Sequence, residues 1–306
     1  MLRYLLIVLS IASATTAKSQ GHLIIQGPDS LMHEGLLWEA IAAYKDSIVA
    51  SDRNPYYVYN LGCAYAIAGM ADSSVKYLKQ SQEHDSESFY SVLTDPDLVS
   101  IKDHKDWKGI EDAAIVSLQA KTKKPIKDLE YARILWRMRA LDQAHYADLR
   151  LLERKIGRGS TVARTVWKQK NTINDQNQKE LEALVEKRGW PKISEVGHSA
   201  ADAAFLVIQH ADHDKQKKYL PVIEALCKQN EADWESYALM YDRVQTSENK
   251  PQKFGSQIKY NSETKKHELF PLLDAAKVDE WRKEMGMRPL ADYVKKWGIE
   301  FKAPEK

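Results

Sequence analysis

The stretch Tyr57-Val58-Tyr59-Asn60-Leu61-Gly62-Cys63-Ala64-Tyr65 decides the fold class. Leu61, Gly62 and Tyr65 put a large, a small and a large side chain on one helix, and the small one lets a paired helix approach closely. The neighbouring sequence repeats the arrangement. Laying Gly35 on Gly69 sets Leu31 on Tyr65, Ala40 on Ser74, Tyr44 on Leu78 and Ser47 on Ser81, a spacing of 34 residues. A repeat of that length is a helix pair that buries its apolar stripe only against neighbouring pairs. In the first copy Gly27-Pro28 falls where a helix interior is expected, so Pro28 opens a shortened helix. Two pairs leave an apolar end face uncovered. Residues 89–118 are the expected cap, with Leu93, Leu98, Ile101, Trp107 and Ile110 around the Asp95-Pro96-Asp97 turn.

The period and the Leu61-Gly62/Tyr65 pattern resemble the tetratricopeptide repeat. That resemblance implies a concave face which the second copy lines with Tyr56, Tyr59 and Asn60, the asparagine matching the one such repeats use to hold a peptide backbone. The implied partner is an unidentified protein or peptide. Docking against the rest of the chain is the competing use of the same face.

Residues 1–19 read as an export signal: Arg3 supplies the positive start, residues 4–14 an apolar run, and Ala17-Lys18-Ser19 small residues before Gln20. The run is too short to span a bilayer, and no cysteine follows it to carry a lipid, so a periplasmic or secreted protein is expected. The chain has 306 residues, 43% hydrophobic and 29% charged, a folded rather than a disordered composition. Its net charge is +2, and loss of Arg3 and Lys18 leaves 2 − 2 = 0. A neutral mature chain argues against nucleic acid as a partner, since such binding rests on neutralising phosphates. Cys63 and Cys227 both have apolar neighbours at helical spacing and read as buried free thiols, although an oxidising compartment would permit a bridge.

A charged linker, Lys121-Thr122-Lys123-Lys124-Pro125, closes the first part of the chain. The expected domains are therefore a signal over 1–19, a repeat-like domain with its cap over 20–120, and a helical domain over 121–300. The fold class is mainly α, helix pairs followed by helices and a short β-hairpin. In the second part, residues 126–156 form one long helical pattern ended by Gly157 and Gly159. Further helices are expected at 174–187, 200–211, 214–228, 232–245, 278–285 and 290–297. Residues 253–260 and 265–269 read as the hairpin, joined through Asn261-Ser262-Glu263.

Polar and small residues punctuate this second part. Asp142-Gln143, Asp175 with Asn177, Gly189-Trp190-Pro191, Gly197, Gln209-His210-Ala211-Asp212, Gln216, Asp242-Arg243, Pro251-Gln252, Gly255 and Gln257 together resemble an uncharacterised bacterial domain family, common in secreted proteins and often fused to tetratricopeptide repeats. The resemblance covers about 129–297 and implies fold and boundaries, with no activity. Where the family commonly shows Tyr-Gly-Thr-Gln, this chain has Phe254-Gly255-Ser256-Gln257, and His145 and Tyr146 stand where an arginine often follows the Asp-Gln pair.

His210 shares a helix face with Ala203, Leu206 and Val207, so its ring points inward. Its two readings are a core histidine bonded to a carboxylate, and a general base or ligand group oriented by Asp142, Asp175 or Asp242. A second stripe, Asp202, Phe205, Gln209, Asp212 and Gln216, reads as a polar seam between helices. Asp242-Arg243 is an ion pair or cap, or presents its guanidinium to an anion; Gln252 and Gln257 flank Gly255 and suit a tight turn or polar recognition. The run 210–214 has the composition of a metal site but no third and fourth ligand at fixed spacing, so no metal is expected. Walker loops, dinucleotide glycines and nucleophile elbows do not occur, and no cofactor is expected. The chain thus reads as an exported interaction or ligand-binding protein with a polar cluster in which Gln209, Asp212, Gln216, Arg243, Gln252 and Gln257 hold a small polar ligand. The alternative is a hydrolase or lyase with His210 as base, oriented by Asp142 or Asp242.

Overall fold

The computed structural model describes residues 27–304, so the expected export signal lies outside the described residues. The chain is mainly α with one two-stranded antiparallel hairpin. Two helix pairs open it: α1 (Pro28–His33) with α2 (Leu37–Ala50), and α3 (Pro55–Ile67) with α4 (Ala71–His84). Each pair turns on a glycine with positive φ, +77° at Gly35 and +75° at Gly69, a conformation that residues with a Cβ rarely adopt. The turns also share a hydrogen bond. Leu36 N–H donates to the Leu31 carbonyl and Met70 N–H to that of Tyr65, both at 2.9 Å, so residues aligned by the 34-residue spacing play the same capping part. A Cβ at Gly62 would stand 3.1 Å from the Leu78 side chain, which is why the centre of α3 carries no larger residue.

The segment after the second pair packs against α4. Two 3₁₀ turns, Phe89–Leu93 and Pro96–Ile101, lead into α5 (Trp107–Thr122). Their buried Phe89, Leu93, Leu98, Ile101, Trp107 and Ile110 join Val75 and Leu78 of α4. The same core continues past the charged linker into Leu135 and Trp136, Leu181, the segment 200–208, Ile223 and Val244. Cys63 and Cys227 are both buried and unbridged.

In the second part, the single long helix expected over 126–156 is two: α6 (Leu129–Gln143) and α7 (Tyr146–Ile156). Ala144 is extended and His145 sits at φ +70°, so the chain turns without a glycine or proline. The apolar periodicity runs through the break because both helices bury a face, and nothing local marks the turn. A 28-residue helix, α8 (Thr161–Arg188), follows and starts well before the expected 174. Then come α9 (Ile193–Val196), α10 (His198–Gln209), α11 (His213–Cys227) and α12 (Trp234–Ser247), the hairpin strands β1 (Ile258–Asn261) and β2 (Lys266–Leu269), and α13 (Val278–Glu284) and α14 (Leu290–Val294). Strand pairing runs from Ile258 opposite Leu269 to Asn261 opposite Lys266. The stretch 253–257 is therefore a loop rather than strand. Among the described residues no helix is long and apolar enough to cross a membrane.

Candidate functional site

The site begins where two helices end. Trp136 Nε1 donates to Ser199 Oγ at 2.9 Å, and Arg139 pairs with Asp202 three residues further along both chains, so α6 and α10 run in the same direction. Their C-termini arrive together. Asp142, in the last turn of α6, then faces His210, the residue that follows α10.

Asp142 is 1% exposed, and its Oδ1 lies 2.8 Å from His210 Nδ1 while its Oδ2 accepts a hydrogen bond from Gln143 Nε2 at 2.7 Å. An ionised carboxylate only accepts, so Nδ1 carries the proton and Nε2 the lone pair of the neutral ring. The ring is 25% exposed, and Nε2 makes no hydrogen bond to a described residue. Tyr146 packs beside it with ring centroids 6.3 Å apart.

Two cations brace the helix ends. Lys170 has no exposed side-chain surface; its ammonium donates to the Asp142 carbonyl and to Asn174 Oδ1 at 2.9 Å, and lies 3.9 Å from Asp142 Oδ1 and 4.6 Å from the Tyr146 ring centre. The Asp142 carbonyl has lost its helical partner at the Ala144-His145 turn, and the lysine replaces it. Arg243 does the same for α10, its Nη1 donating to the Gln209 carbonyl at 2.6 Å, where Gln216 Nε2 also donates at 3.0 Å. Positive charge at a helix C-terminus complements the carbonyl dipoles that point there. Burial lowers the Lys170 pKa, opposed by Asp142, and raises that of Tyr146, with Asp142 adding to the rise and Arg243 opposing it. Burial also lowers the Arg243 pKa, against the smaller effects of Tyr293 and Tyr146.

Of the expected site residues, the structure brings His210 to Asp142, and brings Arg243 and Gln216 to the Gln209 carbonyl, with Arg243 Nε also reaching Gln257 Oε1 at 3.4 Å. The others serve the backbone. Asp242 does not orient His210: it is fully buried and accepts from the N–H groups of Lys253 at 2.8 Å, Phe254 at 3.0 Å and Ser256 at 2.9 Å. Burial raises its pKa and those N–H groups oppose the rise. Gln252 clasps the same loop, its Oε1 accepting from Gln257 N–H and its Nε2 donating to the carbonyls of Gln257 and Phe270. Asp212 is exposed and caps α11 through Lys215 N–H at 2.9 Å. Asp175 is exposed, while Asn177 is buried and ties α8 to α6 by donating to the Met138 carbonyl.

On the helix pairs, Tyr56 is 53% exposed with its hydroxyl on Asp29, next to Asn60, whereas the Tyr59 hydroxyl donates to Asp95 of the cap at 2.6 Å. Cys63, Asp95 and Asp97 bring possible metal-ligand atoms within 4.8 Å of one another. Burial, with the charges of Asp95 and Asp97 adding to it, holds the Cys63 thiol well above its ordinary pKa. Gly189-Trp190-Pro191 ends α8, with Trp190 packed on Tyr219 along an open groove of about 520 Å³.

Lys170 escaped the sequence reading, although a signal existed. It falls on the stripe Ala163, Val166, Asn177, Leu181 that α8 buries, where a lysine needs a partner. A family model described as Family of unknown function (DUF6624) matches residues 137–301, which takes in Asp142, Tyr146, Lys170, His210 and Arg243. No curated protein and no solved structure matches the chain.

Proposed function

The chain belongs to the Family of unknown function (DUF6624), and we propose that it is an exported ligand-binding and interaction protein whose second part takes a small polar ligand at His210. The observation that carries this reading is the His210–Asp142 bond: it fixes the ring with Nδ1 buried and leaves Nε2 outward without a partner among the described residues. A ligand hydroxyl, amine or water donating to Nε2 completes the ring's hydrogen bonding. The two helix pairs, with their tetratricopeptide-like spacing, are the docking module for a protein or peptide, and the exposed Tyr56 with Asn60 is the face they offer. Export rests on the charged and apolar start of the chain.

The same bond favours a second reading, a hydrolase or lyase. A carboxylate on Nδ1 holds the tautomer a general base needs. One experiment tests both. The full chain and His210→Gln are titrated calorimetrically with a set of small polar compounds, with circular dichroism confirming the fold. The proposal expects saturable binding by the wild type that His210→Gln loses; equal binding by both proteins overturns it. Conversion of a bound compound by the wild type alone moves the assignment to the second reading.

A further inference from the structure

We infer that the ligand held at His210 is an oxyanion, a small molecule whose carboxylate or phosphate group pairs with Arg243 while a hydroxyl or amine a few atoms away donates to His210 Nε2. This inference rests on the binding reading above and adds the ligand's chemistry to it. Arg243 is half-buried, and none of its nitrogens meets a carboxylate of a described residue. Its recorded acceptors, the Gln209 carbonyl and Gln257 Oε1, are both neutral. A guanidinium withdrawn from water without a counter-charge is costly, and buried charges are ordinarily paired. Lys170 shows the contrast within the same cluster, since its ammonium stands 3.9 Å from the buried Asp142 carboxylate. The missing charge at Arg243 is one negative group.

The remaining donors fit that group. Arg243 Nη2 and the Tyr146 hydroxyl make no hydrogen bond to a described residue, and the Tyr146 ring abuts His210, 6.3 Å between centroids, within Coulombic reach of Arg243. Arg243 is tied to the carbonyl of Gln209, the residue before His210, so the guanidinium and the imidazole are held on one turn of chain. With Nε and one hydrogen of Nη1 engaged, the Nη1–Nη2 edge keeps one Nη1 and two Nη2 donors. The anion is therefore gripped by one guanidinium edge with the phenol as a second donor, and the lone pair of Nε2 selects a neighbouring donor on the ligand.

The test is isothermal titration of the full chain with inorganic phosphate, succinate and malate, and of Arg243→Gln and Tyr146→Phe under the same low-salt buffer. Malate adds a hydroxyl to the succinate framework, so it separates recognition of the anion from recognition at Nε2. At least one anion is expected to bind saturably, at least tenfold more weakly to Arg243→Gln and severalfold more weakly to Tyr146→Phe. Malate is expected to exceed succinate, and phosphate alone binding would assign the phosphate class. Tyr146→Phe keeps the ring and guards against a folding defect in Arg243→Gln. The inference fails if no anion binds, or if both variants bind as the wild type does. If neutral polar compounds bind in a His210-dependent way that none of the anions competes with, the anion assignment falls and the binding site stands. If nothing binds at His210, both fall.

Discussion

Asp142 and Asp242 are both buried to within 1% of full enclosure, both close the end part of a helix, and both are candidates for the same task from sequence. Their partners divide them. Asp142 is bonded to side chains, His210 and Gln143, with Lys170 close behind. Asp242 is bonded to three backbone N–H groups of the 253–256 loop and to the Ser256 hydroxyl of the same loop. A carboxylate that orients a partly exposed imidazole can transmit its charge to a ligand. One held by the amides and the Ser256 hydroxyl of a single buried loop settles where that loop runs. Burial alone therefore does not identify a functional acid; the kind of donor that faces it does.

The sharpest way to break this comparison is Asp242→Ala. It leaves three loop amides without their acceptor inside the protein, and a stability loss of about 3–5 kcal/mol is expected by denaturant titration. A loss under about 1 kcal/mol would show that the loop does not depend on the carboxylate. Asp142→Asn comes next, with about 2 kcal/mol expected, because the amide keeps the shape but leaves Lys170 without a nearby negative charge. Its more telling readout is nitrogen-15 NMR of the His210 ring. The proton is expected on Nδ1 in the wild type and is expected to redistribute in the variant, with ligand binding lost while the fold persists.

A pH comparison sharpens the contrast at intermediate size. Burial raises the Asp242 pKa above the ordinary carboxylate value, so the folded state holds that proton more tightly than the unfolded chain. This contribution is fully present below the unfolded pKa and is lost as pH rises through the folded one. The stability of the wild type relative to Asp242→Asn is therefore expected to increase as pH falls from about 7 toward about 4. Glu248 has the opposite sign, held down to about 2 by Lys217 and then Lys250, but it is present in both proteins and cancels in the difference. A flat difference would place Asp242 in an ordinary environment. The smallest effect is expected from Gln143→Ala, under about 1 kcal/mol, since Asp142 keeps His210 and Lys170 when one amide donor is removed. A larger loss would make the Asp-Gln pair, rather than the Asp-His pair, the anchor of the helix end.

Helix positions were legible where the chain punctuates itself. Gly35 and Gly69 mark the two pair turns, and Gly189 and Gly197 bracket the approach to α10. The Ala144-His145 break was not legible, because Lys170, distant in sequence, supplies the hydrogen bond that the helix gives up there. The hairpin was placed correctly in kind but begins late, since Asp242 draws the backbone of 253–256 toward itself instead of into a strand. In the site, His210 and its carboxylate were readable as a pair of residue types, while three aspartates competed for the role.

What the sequence by itself determined is what periodicity and local stereochemistry carry: a mainly α chain, two helix pairs at a 34-residue spacing, and a hairpin near the end. Side-chain spacing along a helix and the need for glycine at positive φ are local properties, and they are written in neighbouring residues. Only the tertiary structure decided that Asp142 meets His210 while Asp242 meets a loop, that Lys170 lies buried where α8 packs on α6, and that Arg243 meets no carboxylate of a described residue. Those outcomes depend on helix direction and on partners up to 68 residues apart, and a hydrogen bond is sensitive to a displacement of less than one ångström that no spacing rule resolves.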